Sequence, residues 1–546
     1  MSKLVFSNLD SRKKILQGIE KVVSSVGSTL GPAGRKVIIE KSFGGPRFTK
    51  DGVSVAKEIQ LSDPLENIGC SLVKELASNT VDAAGDGTSS ACVIFGEMCK
   101  SGFEKIDIGM NPLSIARGMQ DACNAILAFL NDISSKIKDN PAKIEQVATI
   151  STNGDKRIGK LIASAVEKIG SEGIITVDDA QSTETVLEVT KGMEIEKGYI
   201  SPYFINNPKK GICELEDPYI LICDHKITAI NPLIGLLEEL TKSGKSLLII
   251  SDSLEGVALN TLIINVANKF IKVAAIQAPG FGDRKKDNLE DIATITGGRF
   301  ISQDISSLEN LSIDHLGRAE KVTITKDKTT IVGGKGNKEN IVSRCEIIDN
   351  AIKTASEYEK KNLEKRRANL SNGVAVIKVG GVTEAEQKEL KDRVEDAVLA
   401  VKASLEEGVV PGGGISLIHA AKKVCSELKS KSSNRDYIIG VDIVSDAVKA
   451  PFKQNLQNAG EEYNVILHRI EETGDFNIGY DSANKGITNM IEQGIIDSKK
   501  SVKSGLELST SYAVSLLTSK FTIVNEPESK EDKQSNNMMP NMGGMY

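Results

Sequence analysis

The run from Val81 to Phe95, VDAAGDGTSSACVIF, sets an acid between two glycines and follows it with three hydroxyls: Gly85, Asp86, Gly87, then Thr88, Ser89 and Ser90. Glycine lets backbone N–H groups approach a ligand closely. A helix opening at such a point presents unsatisfied donors and a favourable dipole, so this spacing can hold a phosphate. The hydroxyls can cap the new helix and donate to phosphate oxygens. Asp86 is then repulsive to the anion unless a cation such as Mg2+ lies between them. The plainer reading is a turn followed by an N-cap, a common use of these residue types.

Two further glycine-bearing breaks, TLGPAGR (29–35) and PGGG (411–414), also sit where helices end or begin. A Walker A loop is absent: SGKS (243–246) has glutamate, Glu239, where the first glycine is required, and reads as a turn into a strand. No Rossmann or protein-kinase glycine pattern follows an expected strand. The four histidines, His225, His315, His419 and His468, have no metal-ligand spacing. The eight cysteines form no CxxC pair and read as reduced, mostly buried thiols.

The elements around these breaks follow from periodicity. Residues 10–133 read as long helices, with Ile15, Ile19, Val22, Val23 and Val26 on one stripe and Leu65, Ile68, Leu72 and Leu76 on another. Between about 190 and 375 short β-branched runs (YILICDHKI, KSLLIIS, KVAAIQAP) alternate with helical patterns, which predicts a separate α/β domain. After a strand at 373–380, a capping box from Thr383 to Glu386 opens a long helix with Leu390, Val394, Val398, Val401 and Leu405 on its buried face, ending at Gly408. Helical texture then continues to about 520. The tail, 526–546, has too little apolar content to pack and is expected to be disordered.

At 546 residues the chain predicts two to four domains at roughly 100–200 residues each. A net charge of −6 gives no reason to expect a nucleic-acid groove or a membrane partner. The longest apolar runs are far below the roughly 20 residues that span a bilayer. The N-terminus has neither signal-peptide nor transit-peptide character, so a cytoplasmic or already processed product is expected.

The ordered segments TLGPAGR, TKDGVSVAKEI, DAAGDGTSSA, GYISPYFI, KVAAIQAPGFGDRKK, RVEDAV and EEGVVPGGG make the chain resemble group I chaperonins of the GroEL type, from about residue 4 to 525. The resemblance implies a multidomain fold. It has a mainly α-helical equatorial domain built from both chain ends (1–133 with 407–525), a small α/β intermediate domain (134–190 with 375–406) and an α/β apical domain (191–374). It further implies two stacked seven-membered homo-oligomeric rings that use ATP, Mg2+ and K+ and enclose non-native client proteins under a GroES-type co-chaperonin lid.

Carried over by position, Thr29, Leu30, Gly31, Pro32 and Lys50 are expected to contact nucleotide, with Gly87, Thr88, Ser89 and Ser90 cradling phosphates and Asp86 on Mg2+. Gly413, Asp481, Ser482, Ala483 and Asp497 would hold the nucleotide from the second segment. Backbone oxygens of Thr29 and Lys50, with the Ser89 hydroxyl, match K+ positions. Asp396 matches the residue that orients the attacking water, and Asp51 is a second carboxylate near metal and water; an isolated Asp like Asp396 otherwise reads as an exposed helix acid.

Tyr199, Ser201, Tyr203, Phe204, Ile234, Leu237, Leu259, Ile263 and Ile264 match a groove for apolar client segments and lid loops. Periodicity alone assigns Leu259, Ile263, Val266 and Phe270 to a core face, with Ile264 off that stripe. Ser89 and Ser90 stand where threonines are commoner and Asp481 where asparagine is; the tail has one GGM. An ATPase-deficient paralogue acting as a passive holdase is the alternative, against which Asp51, Asp86 and Asp396 argue. A metabolic kinase has no acceptor signature.

Overall fold

The computed structural model of the protein describes residues 3–525 apart from positions 8, 41–45, 139, 153, 172, 209, 305–307, 309, 310, 356 and 372; the tail expected to be disordered, 526–546, lies outside the described residues. Among the described residues, those up to Ala163 and from Thr383 to Asn525 pack as one compact unit, and those within Ser164–Val382 as another. The expected intermediate segments are shared out, 134–163 and 383–406 falling in the first unit and 164–190 and 375–382 in the second.

The first unit is mainly helical. Three of its helices begin with an Asx-Pro pair, Asp63-Pro64, Asn111-Pro112 and Asn140-Pro141, in which the side chain caps a backbone N–H and proline supplies a preset first turn. Helices Leu9–Gly27, Pro64–Ala84, Thr88–Asp107, Pro112–Ile133, Arg435–Ala447 and Lys499–Thr518 surround one core that includes Ile19, Leu76, Phe95, Met98, Ile115 and Met119. Strand Lys3–Phe6 pairs antiparallel with Thr522–Asn525, so both ends of the described chain meet in one ladder. Of the first predicted stripe, Ile15, Ile19, Val22 and Val26 are buried, and Val23 packs against the same core half-buried. On the second, Leu65 and Leu76 are buried while Ile68 and Leu72 are only partly so; Cys70, Val73 and Ala77 complete the face instead.

Small residues decide that rotation. A Cβ on Gly18 would lie 2.0 Å from the Glu66 carbonyl oxygen and one on Gly69 2.1 Å from that of Ile15, so helices Leu9–Gly27 and Pro64–Ala84 cross backbone to backbone. Gly118 and Gly440 do the same for helices Pro112–Ile133 and Arg435–Ala447, at 2.0 Å from the Tyr437 oxygen and 2.1 Å from the Ile115 oxygen.

Uninterrupted helical texture after residue 407 is corrected by two antiparallel ladders, Val409–Pro411 with Ile496–Ser498 and Ile478–Asp481 with Gly486–Asn489. Strands of three or four residues are too short to show a period of two. The long helix runs Glu384–Glu407, the Glu386 N–H donating to Thr383 Oγ1 at 3.2 Å, and stops at Gly408, whose φ is +88°.

The second unit holds the predicted α/β element. Strands Tyr219–Cys223, Leu247–Ser251, Val273–Gln277 and Phe300–Ile301 run parallel. Ile220–Cys223 and Leu247–Ile250 are buried without alternation, as expected of strands covered on both faces. SGKS forms the turn between helix Ile234–Lys242 and the strand at 247. Separate from this sheet are a four-stranded antiparallel sheet and a three-stranded one centred on Val374–Val379. All eight cysteines are free thiols, seven of them buried and Cys345 half-buried. Among the described residues no helix is long and apolar enough to cross a membrane.

The helix crossings give a signed expectation. Alanine gains about 1 kcal/mol over glycine in helix propensity, but a methyl at Gly440 must displace backbone, and overpacking of that kind costs about 1–3 kcal/mol. Gly440→Ala should therefore lower the thermal unfolding midpoint followed by circular dichroism, and an unchanged or raised midpoint would contradict the backbone crossing.

Candidate functional site

The three glycine-bearing breaks converge. A cavity of about 1090 Å3 in the first unit is bordered by Thr29–Pro32, Lys50, Asp51, Asp86–Ser90, Asp396, Gly413, Asp481–Ala483 and Asp497, so every residue assigned from sequence to nucleotide, metal or catalysis lines one space. Its volume is that of a cofactor-sized ligand site.

Each wall is set by local structure. Gly85 and Gly87 both take positive φ, +74° and +87°, ending helix Pro64–Ala84 and starting Thr88–Asp107 within three residues. The expected hydroxyl cap does not form. Gly87 is the N-cap, and Thr88, Ser89 and Ser90 occupy the first turn, so the helix opens without a side-chain cap. Helices Ile415–Ser430 and Lys499–Thr518 also begin at the cavity, behind Gly414 and Ser498, and neither carries a hydrogen bond from its own N-cap side chain. Three helix N-termini thus face one space, which favours an anion there.

Four carboxylates answer them. Asp51 caps helix Gly52–Glu58, accepting from the Val53 N–H at 3.1 Å and the Ser54 N–H at 2.9 Å. Asp86 is exposed to the cavity and accepts from the Gly87 N–H at 2.6 Å. Burial raises its pKa, the Gly87 bond pulls it back, and Asp51 pushes it further up. Burial likewise raises Asp497 to about 7, with Asp86 adding to the rise and the Gly413 and Gly414 N–H groups opposing it. Asp396 is held well above the usual carboxylate range by burial first, then by Asp51 and Asp86.

Lys36, Arg47, Lys50 and Arg393 also border the cavity. Lys50 Nζ donates to the Gly31 carbonyl at 2.9 Å, and burial, then Arg393, lowers its pKa. The Thr29 and Ser89 hydroxyls lie 3.3 Å apart, and a Cβ on Gly52 would come within 2.4 Å of Ser89 Oγ, so the first and second breaks touch in an oxygen-rich corner. Ser482, Ser498, Ser501 and Asn455 each bury a side-chain oxygen without a hydrogen-bond partner beside the cavity.

A divalent cation beside Asp86 would relieve the repulsion among the acids, and the Thr29 and Ser89 hydroxyls would offer oxygens to a monovalent one. Among the described residues no three His, Cys, Asp or Glu side chains are grouped to hold a metal alone, so a cation at Asp86 would take further oxygen ligands from phosphate and water.

Sequence reading missed Asn455, Ser501, Arg47 and Asp392, all on the cavity wall. None belongs to a glycine break, and no local signal could have found them.

In the second unit the expected groove residues separate by burial. Tyr203 is 71% exposed, Ile264 60% and Ile234 42%, beside half-buried Tyr199, Leu237, Leu259 and Ile263. Two assignments need correction. Phe204 is 1% exposed inside the core and Ser201 is buried, accepting from the Tyr203 N–H at 3.4 Å; they support the surface from beneath and do not line it. The core stripe expected of Leu259, Ile263, Val266 and Phe270 holds in part: the first three pack half-buried against the core, Ala258 and Leu262 are the fully buried positions, and Phe270 is exposed. Val257, which the sequence did not single out, is 70% exposed on the same helix.

A profile of the TCP-1/cpn60 chaperonin family matches residues 22–527. Among solved structures the chain is similar to the chaperonin gp146 from bacteriophage EL 2 (Pseudomonas aeruginosa) crystallised in the presence of ATP-BeFx. In crystal form II the identity is 23% and the TM-score 0.66, covering 96% of this chain and 99% of that one. Crystal form I gives a TM-score of 0.62 at the same identity and coverage.

The raised acids make stability depend on pH in a definite direction. A carboxyl at about 7 when folded and 3.8 when unfolded binds more protons in the folded state between those values, so the ligand-free protein loses stability as pH rises through that window. Asp497→Asn keeps the acceptor for the Gly413 and Gly414 N–H groups and removes the titration. Thermal midpoints measured from about pH 5 to pH 8 should fall less steeply in the variant than in the wild type; parallel profiles would count against the buried acid.

Proposed function

The chain belongs to the TCP-1/cpn60 chaperonin family, and from that premise we propose that it is an ATPase that hydrolyses nucleotide in the equatorial cavity and uses the cycle to bind and release non-native protein. The observation that carries this reading is the convergence of all the nucleotide-assigned residues on one cavity, where Asp86, Asp396 and Asp497 are raised by burial and by neighbouring acids, a repulsion that a bound cation would relieve. Three helix N-termini would take the phosphates, and Ser482 and Ala483 the base end. Magnesium, bound at Asp86, would neutralise the phosphate charge.

The chain's own carboxylates divide the remaining work. Asp51 is fixed by its two backbone hydrogen bonds. Asp396 stands on a helix and would orient the attacking water, a role for which one placed carboxylate suffices in phosphoryl transfer. Burial and its acidic neighbours favour its protonated form, so cation binding, by screening Asp51 and Asp86, would favour the ionised form that can accept a proton.

Exposed Tyr203, Ile234, Val257 and Ile264 offer the apical unit an apolar surface for extended, unfolded segments. Two stacked seven-membered rings, a GroES-type lid competing for that groove, K+ at the Thr29–Ser89 corner and a cytoplasmic setting complete the proposal, by family resemblance. A passive holdase is the second reading; the retained acids favour the first.

Asp396→Asn should lower steady-state ATP hydrolysis by about a hundredfold or more and leave nucleotide affinity nearly unchanged. Wild-type protein that takes up magnesium-ATP without turning it over would establish the holdase instead. For the groove, Ile264→Ser should weaken capture of a denatured client roughly tenfold with hydrolysis and thermal stability preserved. Phe204→Ala should instead destabilise the fold by about 3–5 kcal/mol. Equal behaviour of the two variants in client binding and melting would remove the distinction between groove and core.

A further inference from the structure

Helix Glu384–Glu407 carries Asp396 beside the cavity and packs through buried Val394, Ala397, Val398 and Val401; a charged contact adds to that packing in its N-terminal half. Asp392 lies one turn earlier on the same face and also borders the cavity. Its Oδ2 accepts from Arg47 Nη2 at 3.0 Å, across 345 positions of sequence. Arg47 Nη2 also lies 3.4 Å from Ser54 Oγ, and the Ser54 N–H holds Asp51 Oδ2 at 2.9 Å. A single guanidinium thus connects the turn that fixes one site carboxylate to the helix that bears the other. A second, looser link runs parallel to it: Lys36 Nζ reaches Glu389 Oε1 at 3.7 Å, and Glu389 pairs with Arg393.

Resting on the ATPase reading above, we propose that the Arg47–Asp392 pair is a positioning tie that sets the approach of Asp396 to the phosphate end of the cavity. Neither residue belongs to a nucleotide motif, and neither need touch the reacting atoms. The side chains are 24% and 27% exposed, so the pair is screened less than a surface ion pair, whose contribution is usually small. Arg47 also places a positive charge against Asp392, one of the acids that oppose ionisation of Asp396. Misplacing a catalytic group by about 1 Å can cost a hundredfold in rate, so a modest tie has leverage on turnover that it lacks on folding.

The test uses the full-length assembled protein as wild type, Arg47→Met, Asp392→Asn, Arg47→Lys and the exchanged pair Arg47→Asp/Asp392→Arg. Arg47→Met and Asp392→Asn should each lower kcat about tenfold at saturating ATP, with nucleotide affinity changed by less than about twofold. Arg47→Lys should recover part of the loss, and the exchanged pair should exceed either single variant. Amide exchange across residues 384–407 should quicken in both single variants and slow again in the exchanged pair. Single variants with wild-type kcat, or losses of affinity and kcat together with no rescue on exchange, would overturn the tie. If Arg47→Met fails to fold, Asp392→Asn, which keeps the side-chain shape, decides. A wild-type protein without turnover overturns the ATPase reading instead, and the amide exchange then still reports whether the pair holds the helix.

Discussion

The constraint on which the site depends is electrostatic: Asp51, Asp86, Asp396 and Asp497 share one cavity, and each unpaired negative charge raises the cost of ionising the next. Such a cluster persists without its ligand only if the protein supplies partial positive charge from every side. Backbone N–H groups do so for three of the four, through Val53 and Ser54 on Asp51, Gly87 on Asp86, and Gly413 and Gly414 on Asp497. For Asp86 and Asp497 the glycines are the means, since Gly87, Gly413 and Gly414 take positive φ and turn their N–H groups toward the acids, whereas Asp51 uses the first turn of the helix it caps. Asp396 is placed differently, on a helix assembled over the others.

Around the cavity the helical core behaves as a fixed frame. Backbone-to-backbone crossings at Gly18, Gly69, Gly118 and Gly440 bring helix axes close, leaving little freedom for the loops that the helices project. Charged side chains also join the cavity walls across long stretches of sequence. Arg47, Lys36 and Glu389 are such joints.

In the second unit the same residue types serve opposite ends. Leu262 and Phe204 are sealed in the core, while Ile264 and Tyr203, two positions and one position away, face solvent. Grouped on one surface, exposed apolar side chains of this kind are what a binding face would present.

Much of this was legible in the chain. The helix opening at Thr383, the α/β texture of 190–375, the stop at Gly408 and the three glycine breaks are local statements, because capping, φ preference and periodicity act over a few neighbouring residues. The motif order was enough to assign Asp86, Asp396 and Asp497 to one site by resemblance. Tertiary structure decided what local rules cannot reach: which face of Gly256–Ala267 is core, that Gly87 and not a hydroxyl caps its helix, that Lys3–Phe6 meets Thr522–Asn525, and that Arg47 finds Asp392. Each is set by a contact between residues remote in sequence, and the free energy of such a contact depends on the burial that only the assembled fold creates.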